Sequence, residues 1–246
     1  MKLVFKILPL AILVASAAHA DAVLPKFDPA AFEPGAAATH PYFTLQEGWL
    51  REFSGMTTED GKQVEERAVM AFGGAGPELA GVQTVMVVHQ AYLGGLLVEL
   101  ARDFYAQDRD GNVWYMGEDV TNVQYDADGK VESTDSKGSW RAGANGALPG
   151  YQMPADLTAG FAFEQEHAPA DAALDIGEIM TVDGTLQGPT GNYDHVLAVF
   201  ETSTVEPALR EIKYYAPGVG LIGEDEAVDA NRANPEAHFG LIRKAN

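Results

Sequence analysis

Hydrophobic and polar residues alternate along much of the chain with the two-residue period of half-buried β-strands. The segment NYDHVLAVFETSTV shows the pattern clearly. One face of this strand has Tyr193, His195, Leu197, Val199 and Glu201, and the opposite face has Asp194, Val196, Ala198 and Phe200. About a dozen segments rich in β-branched and aromatic residues have this character. No long amphipathic helical pattern interrupts them, so the chain is predicted to be built from strands.

Turn signals separate the predicted strands. Asp-Gly pairs, which favour tight hairpin turns, follow strand-like runs at Asp60-Gly61, Asp110-Gly111, Asp128-Gly129 and Asp183-Gly184. Gly94-Gly95 divides two further β-prone runs; the second, Leu96 to Tyr105, also fits helical spacing, but the neighbouring turns favour a strand. The Ala- and Pro-rich segment Asp21 to Gly48 is predicted to be an extended lead-in, and Gly143 to Gly160 is predicted to be one long loop. Together these features predict a single antiparallel all-β domain over residues 21–246, either a sandwich or a partly open barrel.

The first 20 residues have the order of a secretory signal peptide. Lys2 and Lys6 precede the apolar run from Ile7 to Ala18. The small residues Ala18 and Ala20 occupy the two positions that a signal peptidase recognises, so cleavage is predicted before Asp21. The run is shorter than the ~20 residues that span a bilayer, and no later stretch is apolar enough to do so. We therefore expect a periplasmic or secreted protein without a membrane span, and Asp21 in place of Cys argues against lipid attachment there.

Acidic residues dominate the charged positions, with 36 acids against 16 Lys and Arg and a formal net charge of −20. Cleavage of the leader would remove Lys2 and Lys6 and bring the charge to −22. Such a field repels phosphate backbones and anionic lipid surfaces, so neither nucleic acid nor a membrane is an expected partner. The charge indicates solubility or, alternatively, attraction of cations. Because the chain has no cysteine, neither disulfides nor thiol chemistry is available.

The stretch FYAQDRDGNVWYMGED places Asp108, Asp110 and Asn112 at alternate positions, as at the start of a calcium loop. An EF-hand loop requires glycine at its sixth position, where this chain has Val113. A similar pattern recurs in the next predicted turn, YDADGK, which is typical of turns because Asp and Asn side chains bond the nearby backbone. We predict a hairpin turn and assign no metal ligand, with calcium binding by these three residues as the alternative.

The remaining motifs assign no catalytic or binding residue and no cofactor. GVGLIG, Gly218 to Gly223, matches a phosphate-binding glycine pattern, but the acids that follow would repel a pyrophosphate. A tight turn at Pro217-Gly218 between two strands is predicted instead. Glu164 and Glu166, with His167, could hold a metal or carry a proton, although alternating acids are more typical of an exposed strand face. No zinc spacing is found among the histidines after the leader, which are His40, His89, His167, His195 and His238. A Ser-His-Asp site assembled from distant positions is the hydrolase alternative.

Three ordered blocks, FYAQDRDGNVWYMGED, KGSWRAGANGALPGYQMP and EIKYYAPGVGLIGE, resemble a family that recurs among secreted bacterial proteins and lipoproteins. The resemblance covers most of the mature chain, from Tyr42 to Glu224, and implies an exported protein without assigning an activity or a catalytic residue. The last block also resembles strand pairs of wider envelope families, some of which have half-barrel folds that hold lipid or acyl chains. That likeness is an analogy of fold.

Aromatic residues crowd the predicted strands, and in a barrel some of them would line a ligand cavity. We therefore expect non-enzymatic binding of a small hydrophobic ligand or of an envelope partner protein. This hypothesis predicts a continuous apolar cavity walled by strands. A calcium-binding protein and a hydrolase are the alternatives, and the sequence gives no indication of the oligomeric state.

Overall fold

A computed structural model describes residues 22–33, 38–59 and 61–245 and consists almost entirely of β-strands. The predicted signal peptide, residues 1–20, lies outside the described residues. In the described part, a 3-10 turn (Pro29–Ala31) is followed by strands β1 (Thr39–His40), β2 (Phe43–Thr44), β3 (Leu50–Glu59), β4 (Lys62–Leu79), β5 (Val82–Leu93), β6 (Leu96–Gln107), β7 (Val113–Tyr125), β8 (Val131–Asp135), β9 (Trp140–Arg141), β10 (Leu148–Met153), β11 (Ala162–Glu164), β12 (Glu166–His167), β13 (Asp175–Gly188), β14 (Gly191–Ser203), β15 (Arg210–Ala216), β16 (Gly220–Glu226) and β17 (Ala237–Ala245). Among these residues, none forms a helix with the length and apolarity needed to cross a bilayer.

The main sheet is antiparallel and runs in the order β11-β13-β14-β15-β16-β17-β3-β4-β5-β6-β7-β10-β12, with β8 and β9 also paired to β7. Its two ends meet in the short segment 162–167. There β11 pairs with β13 and β12 pairs with β10, while the N–H of Gln165, between them, donates to the Asp175 carbonyl at 2.8 Å. The sheet is therefore a nearly closed barrel. This confirms the predicted antiparallel all-β fold class and favours its barrel form over a sandwich.

Tight turns connect strands at most of the predicted places, and Leu96 to Tyr105 is a strand, as predicted, within β6. The turns that agree with the sequence prediction are those at Gly94-Gly95, Asp110-Gly111, Asp128-Gly129 and Pro217-Gly218. All five glycines in these turns have positive φ, which suits a residue without a side chain. Asp60, the first residue of the turn predicted at Asp60-Gly61, lies outside the described residues.

Two predictions about loops are wrong. Asp183-Gly184 lies inside β13, because register shifts between Thr181 and Gly184 absorb extra residues as a bulge, and the turn comes later, at residues 189–190. The segment from Gly143 to Gly160 contains β10 instead of forming one long loop. Gly150 permits this, since a Cβ atom there would lie 2.1 Å from the carbonyl oxygen of Glu164 on the facing segment.

Alternation along the strands divides side chains between the barrel interior and its exterior. On β14, Leu197 and Val199 belong to the interior cluster, which also contains Tyr105, whereas Val196 belongs to a second cluster and Ala198 and Phe200 to a third. The two faces predicted from the sequence are therefore those that the barrel uses.

The lead-in folds against the barrel instead of remaining a simple extended segment. Strands β1 and β2 pair with each other, and Phe43 packs against the interior cluster. Ala38, Leu45 and Trp49 are buried within that cluster. The segment 38–49 therefore contributes part of the interior wall, which its irregular sequence pattern does not predict.

Candidate functional site

Two neighbouring cavities occupy the barrel interior. The first, the Tyr105 chamber, has a volume of about 220 Å³ and is bounded by residues that include Leu45, Val87, Tyr105, Glu166 and Lys213. The second, the Glu224 chamber, has a volume of about 380 Å³ and is bounded by residues that include Phe53, His89, Glu99 and Glu224. Met70, Lys213 and Leu221 line both chambers and so lie at their boundary.

An aromatic wall forms part of the Tyr105 chamber. Tyr105 and Tyr115 stack with ring centroids 5.2 Å apart, and Phe43 meets Tyr105 edge-on at 5.0 Å. Trp49 and Tyr215 also line the chamber. Offset and edge-on contacts of this kind fix the rings, so the wall is formed before any ligand enters.

Five carboxylic acids from five strands also line the Tyr105 chamber: Asp103 on β6, Glu118 on β7, Glu166 on β12, Asp175 on β13 and Glu201 on β14. Each strand turns its acid inward through the same alternation that turns its apolar residues inward. The cavity is therefore walled by strands, as predicted, but it is not the continuous apolar cavity that the sequence prediction describes.

Among the described residues, Lys213 is the only Lys, Arg or His that lines the Tyr105 chamber. Its Nζ lies 2.5 Å from Glu201 Oε2, while Gln165 Nε2 donates to Glu201 Oε1 at 2.9 Å. Burial by itself lowers the pKa of Lys213, but the carboxylates of Glu201, Glu224 and Glu211 outweigh it and hold that pKa well above its usual value. Within the described part of the chain, the other four acids of the chamber form no salt bridge.

Burial changes the protonation of these four acids. Loss of hydration, increased by nearby carboxylates, raises the pKa of Asp103 to about 7 and that of Glu118 to about 8. Burial also holds the pKa of Glu166 well above its ordinary range, with Asp175 and Glu118 adding to the effect, and burial raises the pKa of Asp175. Protons thus reduce the negative charge of the chamber near neutral pH.

Two buried polar groups that line the Tyr105 chamber have no hydrogen-bond partner within the described residues. Glu166, 5% exposed, leaves Oε2 unpaired, and Trp49, 6% exposed, leaves Nε1 unpaired. The indole N–H of Trp140 approaches the Glu166 carboxylate closely enough to lower the pKa of Glu166, against the larger effect of burial, although neither this N–H nor Glu166 Oε2 has a well-directed partner. Native proteins pair nearly all such groups, and each unpaired one costs about 1–3 kcal/mol. The chamber therefore offers an unused carboxyl oxygen and an unused donor.

Acids also line the Glu224 chamber, and three of them could hold a metal ion. Carboxylate oxygens of Glu211, Glu224 and Glu226 lie within 4.8 Å of one another. Burial holds the pKa of Glu224 well above its usual value, and the neighbouring carboxylates of Glu211 and Glu226 add to this effect. Burial also lowers the pKa of His89 to about 4, which leaves its imidazole neutral.

The residues of the calcium alternative form the turn between β6 and β7. The buried carboxylate of Asp108 accepts hydrogen bonds from the Asn112 N–H at 2.9 Å, Asn112 Nδ2 at 2.8 Å and Trp114 Nε1 at 2.8 Å. Asn112 Oδ1 accepts from the Ala155 N–H at 2.8 Å, and Asp110 is exposed. These contacts agree with the predicted turn, because the side-chain oxygens of Asp108 and Asn112 already accept hydrogen bonds within it and from Ala155.

Among the described residues, three histidines lie within hydrogen-bond distance of an acid through Nδ1: His167 with Glu164 at 2.6 Å, His195 with Asp183 at 2.6 Å and His238 with Asp225 at 2.5 Å. In the part of the chain that the structure describes, no serine hydroxyl bonds to any of these rings. The hydrolase alternative therefore finds no assembled Ser-His-acid site there. Glu166 also differs from its prediction, since it is buried instead of lying on an exposed strand face.

Sequence reasoning did not identify Asp103, Glu118 or Lys213 as site residues. The three blocks that carry the family resemblance nevertheless converge on the Tyr105 chamber, with Tyr105, Tyr115 and Glu118 in the first, Gln152 in the second and Lys213 and Tyr215 in the third. A signal was present in ARDFYA, where Asp103 shares its face with Ala101 and Tyr105. An acid at an inward position of an otherwise apolar strand face marks a polar interior.

No protein family matches the chain, and no curated protein matches it significantly. Two similar solved structures are a protein from Bacteroides fragilis described as exported with a YmcC-like fold and a protein from Parabacteroides distasonis described as a lipoprotein. The first is 15% identical, with 83% of this chain and 99% of that one covered and a TM-score of 0.37. The second is 12% identical, with 82% and 97% covered and a TM-score of 0.37. At these scores the likeness supports no inference about this chain.

Proposed function

We propose that this chain is an exported, non-enzymatic protein, folded as one domain over residues 21–246, that binds a small molecule in the Tyr105 chamber. The observation that carries the proposal is the chamber itself, with its preformed wall and the unpaired atoms of Glu166 and Trp49. A cavity of ~150 Å³ can hold benzene, so this larger one suits a ligand on the order of ten non-hydrogen atoms. The signal-like leader supports export, and Tyr105 and Tyr115 supply the apolar contact expected from the sequence.

Native mass spectrometry of the mature protein, purified gently from its own periplasm, tests this function. A matched pair of variants locates the ligand: Val87→Phe places a ring in the chamber, whereas Val131→Phe adds the same ring at an exposed position of β8. We expect a small non-covalent adduct on the wild type and on Val131→Phe that is lost from Val87→Phe.

Bare masses for all three proteins would contradict the proposal, as would an adduct that Val87→Phe retains while keeping its fold by circular dichroism. The other hypothesis from the sequence, an envelope partner, predicts an empty chamber and a co-purifying protein instead. The same spectrum reports either outcome, because subunits and adducts are resolved by mass.

A further inference from the structure

We infer that the Tyr105 chamber selects a small organic cation, an ammonium group carried on a short aromatic or aliphatic body. The inference rests on the proposed function, because it names the class of ligand that the chamber takes. Three observations support it: the imbalance of charge in the lining, the aromatic wall, and the two buried polar atoms without partners.

The lining contains too many acids for its single cation. Of Asp103, Glu118, Glu166, Asp175 and Glu201, only Glu201 is paired with Lys213. A buried carboxylate without a counterion is costly and takes up a proton instead. An ammonium group that enters the chamber replaces such protons and makes charge-assisted hydrogen bonds with the acids. A carboxylate ligand would add a further negative charge, and a neutral ligand would leave the protons on the acids and gain no charge-assisted hydrogen bond.

Glu166 is the acid best placed to receive the ammonium group. It is buried, it lines the chamber, and its Oε2 has no partner among the described residues. The exposed acids of this chain have water as a partner, so they gain little from a ligand. Trp49 adds a second requirement, because its unpaired Nε1 is a donor and favours a ligand that also carries an acceptor oxygen.

The geometry favours an organic cation over a bare metal ion in this chamber. A metal ion requires several oxygens that converge on one point. Within the described residues, the one group of three acids that converges in this way is Glu211, Glu224 and Glu226, and it lines the Glu224 chamber. The five acids of the Tyr105 chamber contribute no such group of three among the described residues, and they share the lining with the rings of Phe43, Tyr105 and Tyr115. Ring faces attract organic cations and pack against their apolar parts.

Three probes of nearly the same shape test the inference by calorimetric titration of the mature protein at about pH 8. Tyramine is a cation, tyrosol is neutral and 4-hydroxyphenylacetate is an anion, while all three keep the same phenol oxygen. We expect tyramine to bind about tenfold more tightly than tyrosol, as one charge-assisted hydrogen bond would give. We expect no binding of 4-hydroxyphenylacetate.

Two variants test whether the preference for tyramine over tyrosol arises in the Tyr105 chamber. Glu166→Gln keeps the shape of the side chain and removes its charge, and should weaken tyramine binding about tenfold while leaving tyrosol nearly unchanged. Glu132→Gln makes the same change on the exposed strand β8 and should alter neither affinity. If Glu166→Gln fails to fold, as judged by circular dichroism, Glu118→Gln replaces it with the same expectation.

The outcomes separate this inference from the proposed function. If tyrosol binds as tightly as tyramine, or if Glu166→Gln binds tyramine like the wild type, the inference is overturned while the chamber remains a ligand site. If none of the probes binds but native mass spectrometry shows a chamber-dependent adduct, the ligand class is wrong and the function stands. If no probe binds and the native mass is bare, both fail. Equal losses in Glu132→Gln and Glu166→Gln would place the cation on the acidic exterior and also overturn the inference.

Discussion

Lys213 Nζ lies 2.5 Å from Glu201 Oε2 inside the barrel, at the boundary between two cavities that acids line on both sides. The pair links neighbouring strands β14 and β15, whose registered partners at this point are Val199 and Lys213. It is the one contact in the Tyr105 chamber at which a buried negative charge meets a positive one among the described residues. The stability and the ligand preference of the barrel therefore both depend on how its remaining acids are compensated.

Loss of the lysine should destabilise the barrel strongly. Lys213→Met leaves Glu201 buried with only Gln165 as a partner, and breaking a buried ion pair in this way costs about 3–5 kcal/mol. Urea unfolding of the two proteins measures the difference. The double variant Lys213→Met/Glu201→Gln removes both charges and should recover most of the loss. A single variant as stable as the wild type would show that the pair contributes nothing to the fold.

Stability should fall as the pH rises from about 4.5 to about 8. Burial, followed by neighbouring carboxylates, raises the pKa of Asp103 from 3.8 to about 7, and of Glu118 and Glu226 from 4.5 to about 8. In this window the folded state keeps protons that the unfolded state releases, so the free energy of unfolding decreases with pH. Below the unfolded pKa values the contribution is fully present, and above the folded values it is lost. We expect a fall in Tm of roughly 5–10 °C across the window.

A matched pair of variants assigns this pH dependence to the interior. The groups that influence Glu118 are Asp103, Glu99, Tyr115 and Asp175, so Glu118→Gln should both raise Tm at pH 8 and flatten its decline. Glu132→Gln, on the exterior, should leave the profile unchanged. A wild-type Tm that rises steadily from pH 4.5 to 8 would contradict the proposed protonation of the chamber.

The turn between β6 and β7 should depend on Asp108 for stability and not for calcium binding. Asp108→Ala leaves the indole N–H of Trp114 and two donors of Asn112 without their acceptor, at a cost of about 1–3 kcal/mol or more. Asp110→Ala, at the exposed tip, should change the free energy of unfolding by less than about 0.5 kcal/mol. Thermal unfolding with and without calcium checks both. A calcium-dependent rise in Tm that Asp108→Ala abolishes would restore the metal alternative.

Closure of the barrel should depend on Gly150. An alanine Cβ at this position would meet the Glu164 carbonyl oxygen at 2.1 Å, so Gly150→Ala must separate β10 from the segment that closes the sheet. We expect a loss of several kcal/mol, at the large end of what single substitutions cause. Gly188→Ala, where the nearest atom is 4.0 Å away, is the control and should be nearly neutral. If the two variants were equally stable, the close contact between Gly150 and Glu164 that closes the barrel would be contradicted.

Much of the fold was predictable because it depends on local rules. The alternation of residues along β14 predicted which side chains face the barrel interior. The glycines at Gly94-Gly95 and Asp128-Gly129 predicted turns, because glycine adopts the positive φ that these turns require. The bulge at Asp183-Gly184 was not predictable, since the same pair is compatible with a turn and with a bulge, and only the register against β14 decides between them. Strand β10 was missed because Gly150 and Pro149 weaken a local strand signal, and pairing with β7 and β12 outweighs it.

The site was much less predictable than the fold. Alternation shows that Glu201 shares a face with Leu197 and Val199, but acids in a chain of this charge are usually exposed, and that expectation concealed the interior ones. Lys213 and Glu201 come from adjacent strands and approach only through the β14–β15 register. The aromatic blocks did indicate the right region, because Tyr105, Tyr115 and Glu118 of the first block line the chamber.

A crystal structure of the mature protein with tyramine at about pH 8 would show whether the Tyr105 chamber binds an organic cation. We expect the ammonium nitrogen within ~3 Å of a Glu166 carboxylate oxygen, a normal hydrogen-bond distance, with the ring against Tyr105 and Tyr115. Tyramine bound only to the exterior, or a chamber filled by its own side chains, would contradict this expectation.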